Sequence, residues 1–224
     1  MMRIKKLFVA ALLLVAPLAL TAQENSDWAN TSKYVQANAE VTVRPRAVLF
    51  GDSITEGWAK KDPDFFTANN YIGRGISGQT TSQILVRMQQ DVVSLRPKYV
   101  VILCGINDIA QNPGHAVNIE AAVASIKSMC DIAKAHKIKP VLCTLLPSYK
   151  IRWRKYLGNV LGQVQEFNRQ LKDYARSSHI KLVDYYAAFA DDKGRMPEKY
   201  SSDTVHPNLD GYKLMEECIL PVLK

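Results

Sequence analysis

Five short apolar runs alternate along this chain with amphipathic helical segments, and few architectures accommodate that rhythm. The runs are Ala47-Val48-Leu49-Phe50, Asn70 to Ile72, Tyr99 to Cys104, Pro140 to Leu146 and Ile180 to Val183. Between them, Ile84, Leu85, Met88, Val92 and Leu95 recur at helical spacing, as do Ile119, Val123, Ile126, Cys130 and Ala133. A third set is Val160, Val164, Phe167, Leu171 and Tyr174, and a last one is Leu209, Tyr212, Met215 and Ile219. Spacings of three and four place each set on one helix face. Asn118 suits the N-cap of the second helix, with Glu120 in its first turn. Strands that are apolar throughout, separated by such helices, predict an α/β protein with a parallel sheet covered on both faces. In such sheets functional residues gather beyond the carboxyl ends of the strands.

The chain opens with Arg3, Lys5 and Lys6, an apolar run from Leu7 to Leu20, and the small residues Thr21 and Ala22. This order predicts a secretory signal peptide over residues 1–22, cleaved near Ala22. The run is shorter than the ~20 residues that span a bilayer and contains Pro17. Without a cysteine at the junction, no lipid is expected there, and a periplasmic or secreted protein with no membrane anchor follows. Removing the three cations lowers the formal charge from +8 to +5 and leaves no like-charge block of the kind that binds nucleic acid. Residues 23–45 read as a polar leader lying over the domain, and residues 46–224 as one domain with one core. Cys104 and Cys143 fall in strand runs and Cys130 and Cys218 on helical patterns, which predicts buried free thiols rather than a disulfide framework. No CxxC or His-rich spacing points to a metal.

The residues that follow the strands form a set suited to acyl transfer. After the first run stands Gly51-Asp52-Ser53, after the second Gly73-Arg74-Gly75, and after the third Gly105-Ile106-Asn107-Asp108. Ahead of the last helix stands Asp203-Thr204-Val205-His206-Pro207. Ser53 can present a hydroxyl at the sheet edge, and imidazole, as in His206, is the side-chain base matched to neutral pH. Asp203, three residues earlier, can hold the second ring nitrogen in the useful tautomer. The negative oxygen of a tetrahedral intermediate needs donors, which the N–H groups of Ser53 and Gly75 and the amide of Asn107 can supply.

This order of blocks resembles the GDSL esterases, or SGNH hydrolases, marked by a GDS block, a glycine block, a GxND block and a DxxH block. The resemblance covers residues 46 to about 220, with Ile54 where the family name has leucine. It implies a flavodoxin-like three-layer α/β/α sandwich with a five-stranded parallel sheet. It also implies Ser53 as nucleophile, Asp203 and His206 completing a triad, and Ser53, Gly75 and Asn107 as the oxyanion hole, with no cofactor and no metal. The implied substrate is an acylated small molecule or glycan. Acetyl esters of carbohydrates come first, with lipid ester or thioester cleavage, or acyl transfer to a glycan, as alternatives.

Other patterns in the chain carry less. Gly73-Arg74-Gly75-Ile76-Ser77-Gly78 fits a dinucleotide fingerprint, but the next run ends without the acidic residue that would hold a ribose. Gly75 is therefore assigned to the oxyanion site, with Gly73 and Gly78 easing the turn. The GxSxG elbow of α/β-hydrolases is absent, since Thr55 stands at the last glycine position. His136 and His179 fall near helix ends, His115, which follows the Asn107 loop, is read as a surface residue rather than one at the pocket mouth, and Asp108 is expected to fix its own loop. Residues 149–156 interleave aromatic and basic side chains and are read as a loop bordering the acyl pocket, with Tyr149, Glu56 and Trp58 as candidate substrate contacts.

Overall fold

A computed structural model of the chain describes residues 27–112 and 118–224. The expected signal peptide and His115 lie outside the described residues. The elements run α1 (Val35–Ala39), β1 (Ala47–Gly51), α2 (Ser53–Lys61), α3 (Pro63–Ala68), β2 (Tyr71–Gly75) and α4 (Thr81–Val86). They continue β3 (Tyr99–Leu103), α5 (Ile106–Ile109), α6 (Ile119–Ala135), β4 (Lys139–Cys143), α7 (Leu161–Ser177), β5 (Lys181–Val183), α8 (Tyr185–Phe189) and α9 (Leu209–Ile219). The five strands form one all-parallel sheet in the order β2-β1-β3-β4-β5, with helices on both faces. This is the three-layer α/β/α architecture anticipated from the alternation of runs and helices.

Register places the strand ends together. Gly51 lies opposite Gly75 on one side and Leu103 on the other, so the loops after β2, β1 and β3 leave the sheet at one level. The strand order reverses beside β1, where open α/β sheets bind their ligands. A side chain at Gly51 would put its Cβ 2.2 Å from the Leu103 carbonyl oxygen, so only glycine lets these strands end so close to α2. β1 and β3 are buried at every position, because helices cover both their faces.

Three details differ from the sequence-based expectations. The helix expected across residues 84–95 divides into α4 and a separate π-turn over Gln89–Val93. The apolar set still packs, with Ile84, Met88 and Val92 all buried, while the wider turn sets buried Asp91 against buried Arg87. Gly73 lies inside β2 rather than in a turn, where a Cβ would stand 2.8 Å from that of Ala59 on α2. It serves the close approach of helix to sheet. Cys104, Cys130 and Cys143 are buried free thiols, but Cys218 is only half-buried.

The leader is tied down over the carboxyl end of β2. Gln79 Nε2 donates to the Ala29 carbonyl at 2.6 Å, and Arg74 Nε donates to Asn38 Oδ1 at 2.7 Å. The Tyr34 hydroxyl donates to the Gly75 carbonyl at 2.5 Å, and Lys33 pairs with Glu56 at 2.9 Å.

Candidate active site

Each candidate side chain is set by a local device. Asp52 caps α2 by accepting the Ile54 N–H at 3.0 Å, which makes Ser53 the first helical residue and raises its hydroxyl above the sheet. Gly75 ends β2 where a Cβ would fall 2.2 Å from the Glu56 nitrogen, so the backbone can pass only without a side chain. Asn107 lies buried in the first turn of α5, after Gly105 with φ of 128°. Its amide donates to the Gln79 carbonyl at 3.0 Å, and Asn112 Nδ2 donates to its Oδ1 at 3.0 Å. With its oxygen occupied, Asn107 keeps its remaining amide hydrogen for the pocket.

The loop before α9 brings in the imidazole. Asp203 Oδ1 accepts the Val205 and His206 N–H groups at 2.9 and 2.7 Å, and its Oδ2 lies 2.6 Å from His206 Nδ1. Burial pushes the Asp203 carboxyl up, but the His206 ring and these two backbone donors outweigh it and hold the group well below 3.8. His206 Nε2 lies 2.9 Å from Ser53 Oγ. Thr204, between them, takes φ of 72°, a strained value for a β-branched residue, and its hydroxyl donates to the Lys150 carbonyl at 2.6 Å.

These groups border an open cavity of about 210 Å³ lined by Ser53, Ser77, Gly78, Asn107, Asn112, Trp153 and His206. The structure thus brings Ser53, Asn107, Asp203 and His206 together, but not Gly75: the Ile76 N–H bonds the Gly51 carbonyl, which turns the Gly75 N–H and carbonyl away from β1 toward the leader, and Gly78 is the glycine in the cavity wall.

The three candidate substrate contacts lie elsewhere. Trp58 is 2% exposed and stacks between Phe65 and Tyr212, at 5.3 and 5.8 Å, because five helical residues past Ser53 turn it about 140° away from the pocket. Glu56 pairs with Lys33 and Lys60 and accepts the Ser77 N–H at 2.7 Å, so it shapes the pocket wall from behind. Burial pushes the Glu56 carboxyl up, and the two lysines and the Ser77 amide reverse this and bring it to about 2. Tyr149 stacks against the Arg195 guanidinium at 4.6 Å and does not reach the cavity. From the same loop it is Trp153 that arrives, 42% exposed, its ring 5.7 Å from that of His206. Its place in the 149–156 segment was the one signal for it. Ser77 and Asn112 carried none.

Asp108 does more than hold its own loop. Its two oxygens accept the N–H and hydroxyl of Thr81 at 2.9 and 2.7 Å, which locks the start of α4 to the loop after β3. His136 caps the end of α6, and His179 lies just past α7. No group of three or more His, Cys, Asp or Glu side chains placed to hold a metal ion occurs among the described residues.

The family model described as the GDSL-like lipase/acylhydrolase family matches residues 49–214. The chain belongs to this family. As a GDSL acylhydrolase it is a hydrolase of ester bonds, and its solved relatives share its fold. The crystal structure of a putative acylhydrolase from Bacteroides fragilis is 41% identical and superposes with a TM-score of 0.84 over 88% of this chain and 97% of that one. An isoamyl acetate-hydrolyzing esterase 1 homolog from Bos taurus is 26% identical over 84% of this chain and 85% of its own length. An acetylxylan esterase from Geobacillus stearothermophilus is 24% identical over 66% of this chain and 69% of its own.

Proposed function

We propose that this GDSL acylhydrolase is an exported serine esterase that removes short acyl groups, acetyl above all, from carbohydrates. The observation that carries the reading is the continuous contact from Asp203 through His206 to Ser53, at 2.6 and 2.9 Å, beside the free amide hydrogen of Asn107.

The chemistry follows from these contacts. Asp203 accepts the Nδ1 hydrogen, which leaves the Nε2 lone pair facing Ser53. His206 takes the hydroxyl proton as Ser53 Oγ attacks the ester carbonyl, and the carbonyl oxygen becomes negative. The N–H groups of Ser53 and of Gly78, the glycine in the cavity wall, and the Asn107 amide receive that charge. Collapse expels the alcohol, protonated by His206, and leaves an acyl-serine. His206 then deprotonates water, and the same steps release the acid.

Pocket size supports a short acyl group, since 210 Å³ is below the 300–1,000 Å³ usual for a drug-sized ligand. The half-exposed Trp153 ring beside His206 offers a flat apolar face of the kind a sugar ring covers. Two relatives named for acetate ester substrates point the same way. Export rests on the signal-like run at residues 1–22, and no helix among the described residues is long and apolar enough to cross a membrane.

Purified protein is expected to release acetate from a chromogenic acetate ester and from acetylated xylan, and Ser53→Ala to abolish both. Undiminished turnover in Ser53→Ala ends the proposal. Preference for acyl chains longer than about four carbons, each methylene adding ~0.8 kcal/mol of burial, replaces acetyl by lipid esters as substrate. Transfer to an added acceptor glycan in place of water identifies an acyltransferase. N-terminal sequencing of the exported protein is expected to begin near Gln23.

A further inference from the structure

Residues 149–160 form a loop closed at its base, where the Val160 N–H donates to the Tyr149 carbonyl at 3.1 Å, and the buried Ile151 roots it in the core. Three contacts set the loop at the mouth of the catalytic cavity. The Lys150 carbonyl accepts the Thr204 hydroxyl at 2.6 Å, the Trp153 ring lies 5.7 Å from that of His206, and the Tyr156 hydroxyl donates to Gln111 Oε1 at 3.3 Å. Gln111 is the neighbour of Asn112, which lines the cavity wall. The segment from Trp153 to Tyr156 therefore runs from the imidazole toward the Asn112 side of the pocket.

This loop brings charge of one sign. Lys150, Arg152, Arg154 and Lys155 stand in a stretch without an acidic residue, and none of them forms an ion pair among the described residues. Asp203 is committed to His206, and Glu56 to Lys33 and Lys60, so neither offsets the loop. The loop also holds a second cavity of about 440 Å³, larger than the 210 Å³ beside Ser53, with Lys150, Arg152 and Lys155 in its wall and no carboxylate. Trp153 and Tyr156 leave aromatic rings exposed among these cations.

We infer that the ester this site takes is carried by an acidic glycan, whose carboxylates lie along Lys150, Arg152, Arg154 and Lys155 while its sugar rings cover Trp153 and Tyr156. The inference deepens the esterase reading above and rests on it. A single exposed ion pair contributes little, but a rim of one sign raises the local concentration of an anionic substrate by roughly 10-fold or more. The two guanidinium groups add bidentate recognition of carboxylate. Aromatic rings among cations also suit single-stranded nucleic acid, but that polymer carries no acyl ester to offer Ser53.

Acetylated oligogalacturonate and the same oligomer with its carboxyls methyl-esterified differ in charge and hardly in shape. At low ionic strength, kcat/KM for acetate release is expected to be about 10-fold higher for the free acid, chiefly through KM. The ratio falls toward one near 1 M salt, where the screening length is about 3 Å. In the combined variant Lys150→Gln, Arg152→Gln and Lys155→Gln, it lies within about twofold of one even at low salt. All three side chains are exposed, so the fold tolerates the change, and the salt series on wild-type protein needs no variant. Equal kcat/KM for the two oligomers in wild type, or a preference that survives in the variant, overturns the inference.

Binding of the unacetylated oligogalacturonate, read by calorimetry at low salt, separates this inference from the reading it rests on. Binding that is lost in the variant, in a protein that cleaves no ester, ends the esterase reading and leaves the acidic-glycan site standing. Cleavage of neutral acetyl esters without such binding ends the acidic-glycan site alone. A thymidine oligonucleotide of equal charge bound as tightly overturns it too, and makes the loop a nucleic-acid site.

Discussion

The Tyr212 hydroxyl donates to the Ile54 carbonyl over 2.9 Å, joining α9 to the first turn of α2. Ser53 is the neighbour of Ile54 in sequence, and His206 leads into α9, so this bond and the Trp58–Glu216 bond at 3.2 Å set where imidazole meets hydroxyl. Gly57 makes the approach possible, since a Cβ there would lie 2.6 Å from the Tyr212 hydroxyl. Tyr212→Phe is expected to cost about 1 kcal/mol in urea unfolding and to lower kcat several-fold, because the two catalytic elements lose a shared register point. An unchanged kcat alongside the stability loss would show that the remaining packing suffices.

Replacing Asp203 by asparagine keeps the loop shape but turns an acceptor into a donor facing Nδ1. The favoured ring tautomer then carries its hydrogen on Nε2, where a lone pair is required. Steady-state kinetics are expected to show kcat lower by about 10³- to 10⁴-fold. The carboxyl also stabilises the fold. Held below its unfolded value of 3.8, it contributes stability that is present above that pH and is lost only as pH falls toward the folded value.

Removal of one oxyanion donor is tested by Asn107→Ala, for which kcat is expected to fall about 100- to 1,000-fold at nearly constant KM. Because the Gln79 carbonyl loses its donor as well, stability drops by about 1 to 3 kcal/mol in the same variant.

Asp52 supplies a pH signature of stability. Burial raises its carboxyl from 3.8 to about 7, only partly offset by the Ile54 N–H and the nearby His206, and its Oδ2 has no hydrogen-bond partner among the described residues. The folded state therefore holds this proton more tightly than the unfolded chain does. Its contribution is fully present below 3.8 and fades as pH rises through about 7, by at most about 4 kcal/mol. Denaturation of wild type against Asp52→Asn from pH 4 to 8 is expected to show the variant gaining relative stability as pH rises. A pH-independent difference would place the ionisation elsewhere.

Trp153 separates small from large substrates. Trp153→Ala is expected to raise KM for acetylated xylooligosaccharides about fivefold, the loss of roughly 1 kcal/mol of apolar contact, while leaving a chromogenic acetate within about twofold. Equal effects on both would tie Trp153 to packing on the His206 ring alone.

What the linear order determined is the architecture and the chemical groups. Apolar runs of strand length, alternating with helical periods, admit little besides a covered parallel sheet, and residues after its strands must emerge on one edge. Ser53, Asn107, Asp203 and His206, which the fold brings to one rim, were legible for that reason, whereas packing put Gly78 rather than Gly75 in the cavity wall. The tertiary structure decided which neighbours face the pocket. Trp58 and Glu56 lie close to Ser53 in sequence, yet helix rotation turns one into the core and the leader claims the other. Trp153 and Asn112 reach the cavity from loops whose paths no periodicity describes. Arg87 reads along the chain as one polar residue on an apolar helix, and only packing brings the ends of β1 and β2 and the Gln79 side chain to its guanidinium, because a buried cation must find its partners wherever the folded backbone leaves carbonyls open.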